Sequence, residues 1–314
     1  NELLDIRCKV HSYWHPQAEI IQGSIKDDLI KKEIIEKSLI NKVDFILATP
    51  PCQGVSLIGK NKTNDDMLED DRNFLIFHAF DIIDAINPKV FVIENVDRFL
   101  KMMFPYKGEY HDIEYILKDK YSNKYSINVD VYNAKDYEIP QSRNRAIMVM
   151  TNKNYQYIKP KKSKKIITVK DAIGSLPSLE SGQISGIKNH NARIHTDNQI
   201  LWMKHTPTGH SAFENKVFFP QKENGERLKG YMATYKRIDW DKPAPTITMR
   251  NDAISSQSNV HPGRLLKDGT YSDARVLSIR ELFILSSINP DLDVPNFVSD
   301  KPLMNHMHIL YHLL

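Results

Sequence analysis

Val43–Ala48 (VDFILA) runs directly into Thr49-Pro50-Pro51-Cys52-Gln53-Gly54-Val55-Ser56 (TPPCQGVS). The first part is a short apolar run that ends at turn residues, which reads as a buried strand. Two prolines then fix φ and remove two backbone donors, so the chain behind the strand is held stiff. The chain has only two cysteines, and one of them stands at this strand end. A cysteine that merely fills space needs no such setting. A nucleophilic thiol gains from one.

Moving outward, the pattern alternates. Asn73–Ile86 (NFLIFHAFDIIDAI) has apolar residues at three- and four-residue spacings and stops at Asn87-Pro88, which predicts a helix. Val90–Ile93 (VFVI) is a second buried strand, and it runs into Glu94-Asn95-Val96. Tyr125–Tyr132 alternates as a half-exposed strand does, and Ala146–Met150 is another apolar run. Strands alternating with helices predict an open, largely parallel sheet. From about 152 to 235 the periodicity weakens and Lys, Ser, Gly, Pro and His become frequent, so this stretch reads as a separate loop-rich or small-β module. Helical periodicity returns over Ser278–Ile288.

Composition narrows the function. The 314 residues are 41% hydrophobic, enough for a real core, with mean hydropathy -0.46. No apolar run approaches the roughly 18–20 residues of a membrane span. The opening NELLDIRCKV carries charge where a signal peptide is apolar. Two cysteines build no disulfide framework, and Cys8 and Cys52 lack zinc-ligand spacing, so a reducing cytoplasm is the expected compartment. The net charge is only +4, but Lys159–Lys170 (KPKKSKKIITVK) is densely basic, which admits a polyanionic partner.

In open α/β sheets, ligands bind beyond the carboxyl ends of the strands. If the two buried strands are parallel neighbours, Cys52 and Glu94 project into one crevice, a thiol facing a proton-handling carboxyl. Taken singly, each has a bland reading: a buried small hydrophobe, a surface acid, and, for Gln141-Ser142-Arg143-Asn144-Arg145, a solvated loop. In order along one chain, TPPCQGVS, then ENV, then Asn133–Arg145 (NAKDYEIPQSRNR) resemble the cytosine-C5 DNA methyltransferase family of bacterial restriction-modification systems. Leu68–Leu75, Lys236–Met249 (KRIDWDKPAPTITM) and His261–Leu282 extend the resemblance over nearly the whole chain.

The resemblance implies a Rossmann-like α/β fold dependent on S-adenosylmethionine, with a mostly parallel sheet and a smaller loop-rich target-recognition module. The domains would be 1–151 (catalytic), 152–235 (target recognition) and 236–314 (support of that module and return to the catalytic domain). It implies Cys52 as the nucleophile on cytosine C6 and Glu94 as the donor at N3, with Arg145 at O2 and Asn95 and Arg143 supporting. Glu2 would hold the ribose hydroxyls, and Ser24, Ile25, Pro50, Asn73 and Leu75 would line the adenine side. Duplex DNA would meet Gln53, Ser56, Lys60, Lys62, Gln141, Arg237 and Thr246, the first four in a mobile loop from Gln53 to about Asp71.

Two departures stand out. The family's Phe-x-Gly-x-Gly turn, which cradles the methionine half, is absent from these residues, and the chain reads as starting just downstream of it. The closing MNHMHIL (304–310) lacks the family's glycine; its histidines read as tail residues, with no metal expected. The missing turn reads in one of three ways: a second chain supplies it, a remnant has lost it, or it lies upstream of the given start; a cognate restriction endonuclease is a further expected partner. Two other readings stay open: a catalytically defective remnant or subunit that binds DNA, and methylation of tRNA by the same chemistry.

Overall fold

A computed structural model describes residues 1–51, 74–248, 250–295 and 297. In chain order the elements begin with α1 (Asp5–Trp14), α2 (Asp28–Ile40), β1 (Phe45–Ala48), α3 (Leu75–Ile86) and β2 (Val90–Asn95). They continue with β3 (Met103–Tyr106), β4 (Glu109–Asp112), α4 (Ile113–Tyr121), β5 (Tyr125–Asn133), β6 (Gln141–Ser142) and β7 (Asn144–Asn152). Last come α5 (Val169–Ile173), α6 (Asp197–Lys204), β8 (Ala244–Pro245) and α7 (Ile279–Leu285). Among them no helix is long and apolar enough to cross a membrane.

The chain forms two compact units, Asn1–Asn133 with Asn144–Lys161, and Ala134–Arg143 with Lys162–Leu314. The first unit is built on the sheet β1-β2-β7-β5. β1 and β2 are parallel, with Phe45 opposite Val90 and Ala48 opposite Ile93. β7 is antiparallel to both β2 and β5, so β1, β2 and β5 all point one way around it. Period-two alternation puts Phe91 and Ile93 of β2 on the same face as Met148 and Met150 of β7. Helix α3 presents Ile76, Ala79, Phe80 and Ile83 to that core, a helical stripe, and α4 adds Ile113, Ile116 and Leu117. Burying each such large side chain is worth roughly 1.5–3 kcal/mol. Asn87, at φ 55°, and Pro88 end α3 as the sequence predicts. The Tyr125 hydroxyl donates to the Pro88 carbonyl at 2.7 Å, tying that turn to β5. The other face of β1 carries Phe45 and Leu47, which are 54% and 40% exposed.

The second unit has little regular structure among its described residues. Its strands are the two-residue pair β6 and β8, joined in parallel by Gln141 opposite Ala244 and Ser142 opposite Pro245. Polar groups organise its interior. The Arg275 guanidinium bridges both oxygens of Glu281 (2.8 and 2.9 Å) and reaches Asp273 Oδ1 at 3.0 Å, all three side chains being buried. Asp273 also accepts from Ser178 Oγ (2.6 Å) and the Leu179 amide (2.9 Å). Glu281 accepts from the Ser278 amide as well, closing the capping box that starts α7. Buried His261 lies between Asp273 and Glu281, and its Nδ1 accepts from the Gly263 amide at 3.1 Å, which leaves the proton on Nε2 facing Glu281. Burial pushes the His261 imidazole down to about 3, so it is neutral near pH 7. Burial opposes charge on Glu281 too, but Arg275 outweighs it and holds the carboxyl at about 2. The described residues from Lys236 on all fall in this unit.

Candidate active site

The parallel register of β1 and β2 places their carboxyl ends side by side. Beyond Ala48 come Thr49, Pro50 and Pro51; beyond Ile93 come Glu94 and Asn95. The buried Asn95 amide donates to the Pro50 carbonyl at 3.0 Å, and its Oδ1 accepts from the Val96 amide at 2.9 Å. One side chain thus ties the stiff segment behind β1 to the end of β2. Cys52, Gln53, Ser56, Lys60, Lys62 and Asn73 lie outside the described residues, as do the histidines of the closing segment, so the site is seen through what flanks Cys52.

Glu94 pairs across β2–β7 with Ile147. Arg145 is two residues from Ile147 and therefore on the same face, a diagonal neighbour that a long side chain reaches. Its Nε meets Glu94 Oε1 at 2.7 Å, with side chains 19% and 12% exposed. Burial pulls the guanidinium below its usual value, while Glu94 and then Asp97 pull it back. Asn144 receives a hydrogen bond from Asn133 (2.8 Å) and donates to Asp97 (3.4 Å), while its carbonyl accepts from Arg145 Nη1 at 2.7 Å. Asp97 and Asn144 were not singled out from the sequence. The signal was there, since Asn144 stands between the two motif arginines and Asp97 one residue past Glu-Asn-Val.

The cofactor-side residues form a second group. Glu2 bridges in parallel to Gln22, and the Gly23 amide donates to the Glu2 carbonyl at 3.0 Å, which lays Glu2 beside Gly23-Ser24-Ile25. The Glu2 carboxylate accepts from the Leu3 and Leu4 amides (2.8 and 2.9 Å) at the start of α1 and faces Arg7 at 3.5 Å. A carboxylate offers about four acceptor positions, so it retains capacity for a diol. Ser24 Oγ accepts from the Lys26 amide, and Asp27 caps α2 through the Leu29 amide. Ile25, Pro50 and Leu75 are half-buried. Glu2 beside Gly23-Ser24-Ile25 offers an acid of the kind that the hydroxyls of an adenosine would need.

Two expected DNA contacts are corrected. Gln141 is 1% exposed, donates to the Leu285 carbonyl (3.2 Å) and accepts from the Ile247 amide (3.3 Å), so its side chain joins segments of the second unit. Arg237 is fully buried and donates to the carbonyls of Met203, His261, Ser272 and Asp273. A guanidinium spent on main chain is scaffold, with nothing left for a phosphate. Thr246 is exposed, and its hydroxyl donates to the Ser142 carbonyl at 2.9 Å. Arg143 is half-buried, and its carbonyl accepts from the Ala134 amide. In the basic cluster, Lys159 pairs with Asp130, and Lys162 with Asp136 at 2.7 Å.

Comparison with known proteins identifies the family. Residues 7–298 match the model of the C-5 cytosine-specific DNA methylases. The chain is 47% identical over 296 residues to the Type II methyltransferase M1.HgaI of Avibacterium volantium, spanning 94% of this chain and 83% of that one. It is 28% identical to the Type II methyltransferase M1.HphI of Haemophilus parahaemolyticus, over 90% and 69% of the two chains. In fold it resembles the Entamoeba histolytica methyltransferase EhMeth (TM-score 0.61, 14% identity, 99% and 86% covered). The S. pombe Dnmt2 methyltransferase is also similar (TM-score 0.52, 13% identity, 99% and 87% covered). The chain belongs to the C-5 cytosine-specific DNA methylase family, enzymes that carry a methyl group from S-adenosylmethionine to C5 of cytosine in DNA.

Proposed function

We propose that this chain methylates cytosine in a specific duplex site through a covalent Cys52 intermediate, on a base turned out of the helix. C5 of cytosine is a poor nucleophile, and a stacked base is out of reach. Bonding of the Cys52 thiolate to C6 turns the ring into an enamine that is nucleophilic at C5. Glu94 meets the charge that this addition places at N3, and Arg145 holds Glu94 and contacts O2. S-adenosylmethionine supplies an electrophilic methyl group on a sulfonium. A base then removes the C5 proton, the Cys52–C6 bond breaks and the aromatic ring returns. Glu2 holds the ribose hydroxyls, with Ser24, Ile25, Pro50, Asn73 and Leu75 around the adenine. Asn95 is a positioning residue, since it holds the Pro50 carbonyl two residues before Cys52.

The observation that carries this reading is the Glu94–Arg145 pair at the carboxyl end of β2, next to the Asn95–Pro50 tether. The loop from Gln53, with Ser56, Lys60 and Lys62, would close on DNA. The module over 152–235 would read sequence, and 236–314 would support it. A cognate restriction endonuclease is the proposed partner beside duplex DNA. The 47% identity to a Type II methyltransferase supports DNA methylation over a remnant or a tRNA enzyme. The test is transfer of labelled methyl to unmethylated duplex DNA. A duplex with 5-fluorocytosine at the target should then trap Cys52, because fluorine cannot leave as a proton. An adduct on any other residue would refute the assignment.

A further inference from the structure

We infer that Gln221–Lys229, a short hairpin ribbon closed by a single antiparallel bridge, enters a groove of duplex DNA, with Gln221 and Glu223 reading base edges and Lys216 and Lys229 on phosphates. The inference rests on the proposed function of the second unit as the DNA-reading module. Gln221 bridges antiparallel to Arg227, and the Lys222 amide donates to the Glu226 carbonyl at 2.9 Å. Asn224-Gly225 makes the turn, with Gly225 at φ +83°, where a side chain would be strained.

The root of the ribbon is fixed and its tip is bare. Buried Asn215 reaches the carbonyls of Trp202 (3.1 Å) and Phe218 (2.7 Å) and the Thr206 hydroxyl (3.0 Å). The Arg227 guanidinium lies 3.8 Å from the centre of the Phe219 ring and donates to the Asn215 carbonyl. Pro220 is buried at the junction. Beyond these anchors Gln221, Lys222, Glu223, Asn224, Gly225 and Glu226 are all exposed. A rigid base with a bare polar tip is how a reading element is presented, because ordering it on binding then costs little entropy.

The partner follows from shape and charge. The major groove admits a two-stranded β ribbon, and it displays donors and acceptors that Gln and Glu recognise. Lys222 is already neutralised by Glu226 at 2.7 Å. Lys216 and Lys229 are exposed, and among the described residues no carboxylate pairs with either. In sequence they flank the ribbon, as phosphate contacts flank a reading element.

Two double variants of the 314-residue chain test this. A library of duplexes with randomised sequence is methylated, and the modified sites are sequenced. Q221A/E223A is expected to keep transferring methyl groups but to lose discrimination at one or two positions, by roughly 5- to 100-fold. K216A/K229A is expected to slow transfer at all sites alike and to flatten the log–log salt dependence of DNA binding by about 1.8. A site spectrum and salt slope identical to wild type in both variants would overturn the inference. If the wild-type chain transfers no methyl at all, the proposed reaction fails instead. The salt slope of duplex binding, measured by fluorescence anisotropy, still decides the ribbon in that case. Unchanged thermal melting of both variants separates these effects from misfolding.

Discussion

The two units solve the same problem by different means. The first buries apolar side chains on a sheet face, and its site residues are placed by strand register: Ala48 opposite Ile93, Glu94 opposite Ile147. The second has almost no register to rely on, so it buries ions: Arg275 between Glu281 and Asp273, and Arg237 among four main-chain carbonyls. A sheet makes position cheap, because backbone pairing already satisfies its polar groups. A loop-rich core must satisfy each carbonyl individually, and a buried guanidinium with five donors does that for several at once.

The largest expected effect falls in the first unit. Cys52→Ser should abolish transfer, while Cys8→Ser, whose buried thiol only faces the Glu2 carbonyl at 3.6 Å, should keep it. Equal activity of wild type and Cys52→Ser would break the assignment of chemistry to this unit. Glu94→Gln should lower kcat by roughly 10²- to 10⁴-fold, the usual worth of a positioned proton donor, with little change in melting temperature. A loss of stability instead of rate would make the Glu94–Arg145 pair structural.

In the second unit the balance should reverse. Glu281→Gln leaves Arg275 buried with half its partner and should cost ~3–5 kcal/mol of unfolding free energy, read by urea titration. A near-neutral result would mean that the network is dispensable to the fold. Acid should act on the same group of residues. His261 sits below its unfolded value, so stability is full above about pH 6.5 and falls as pH drops toward 3, because the unfolded chain takes up the proton first. Glu281, also depressed, adds its own loss as pH falls from about 4.5 toward 2. Melting curves between pH 7 and 4 should show this decline, and His261→Gln should flatten its upper part.

This contrast also explains what was legible in the sequence. The strand at Val43–Ala48, the helix ending at Asn87-Pro88 and the strand reaching Glu94 were all readable, because period and punctuation report regular structure directly. The resemblance put Glu94 and Arg145 around one base, whereas their diagonal contact needed the register. Gln141 and Arg237 stand as DNA contacts through the resemblance alone, which carries a residue type but not its burial. Nothing local reveals that Arg237 will meet carbonyls from residues 203 to 273. Long-range polar satisfaction leaves no periodic trace.

The short pairing of β6 with β8 bears on how such a protein can be recombined. Ala134–Arg143 belongs to the second unit although it is threaded between two strands of the first. A chimera that exchanged only the stretch after Lys161 would set a foreign partner against Gln141, whose amide is fitted to Leu285 and Ile247. Exchange of the second unit between relatives therefore moves two segments through three junctions, and the ten-residue insert must travel with the long one.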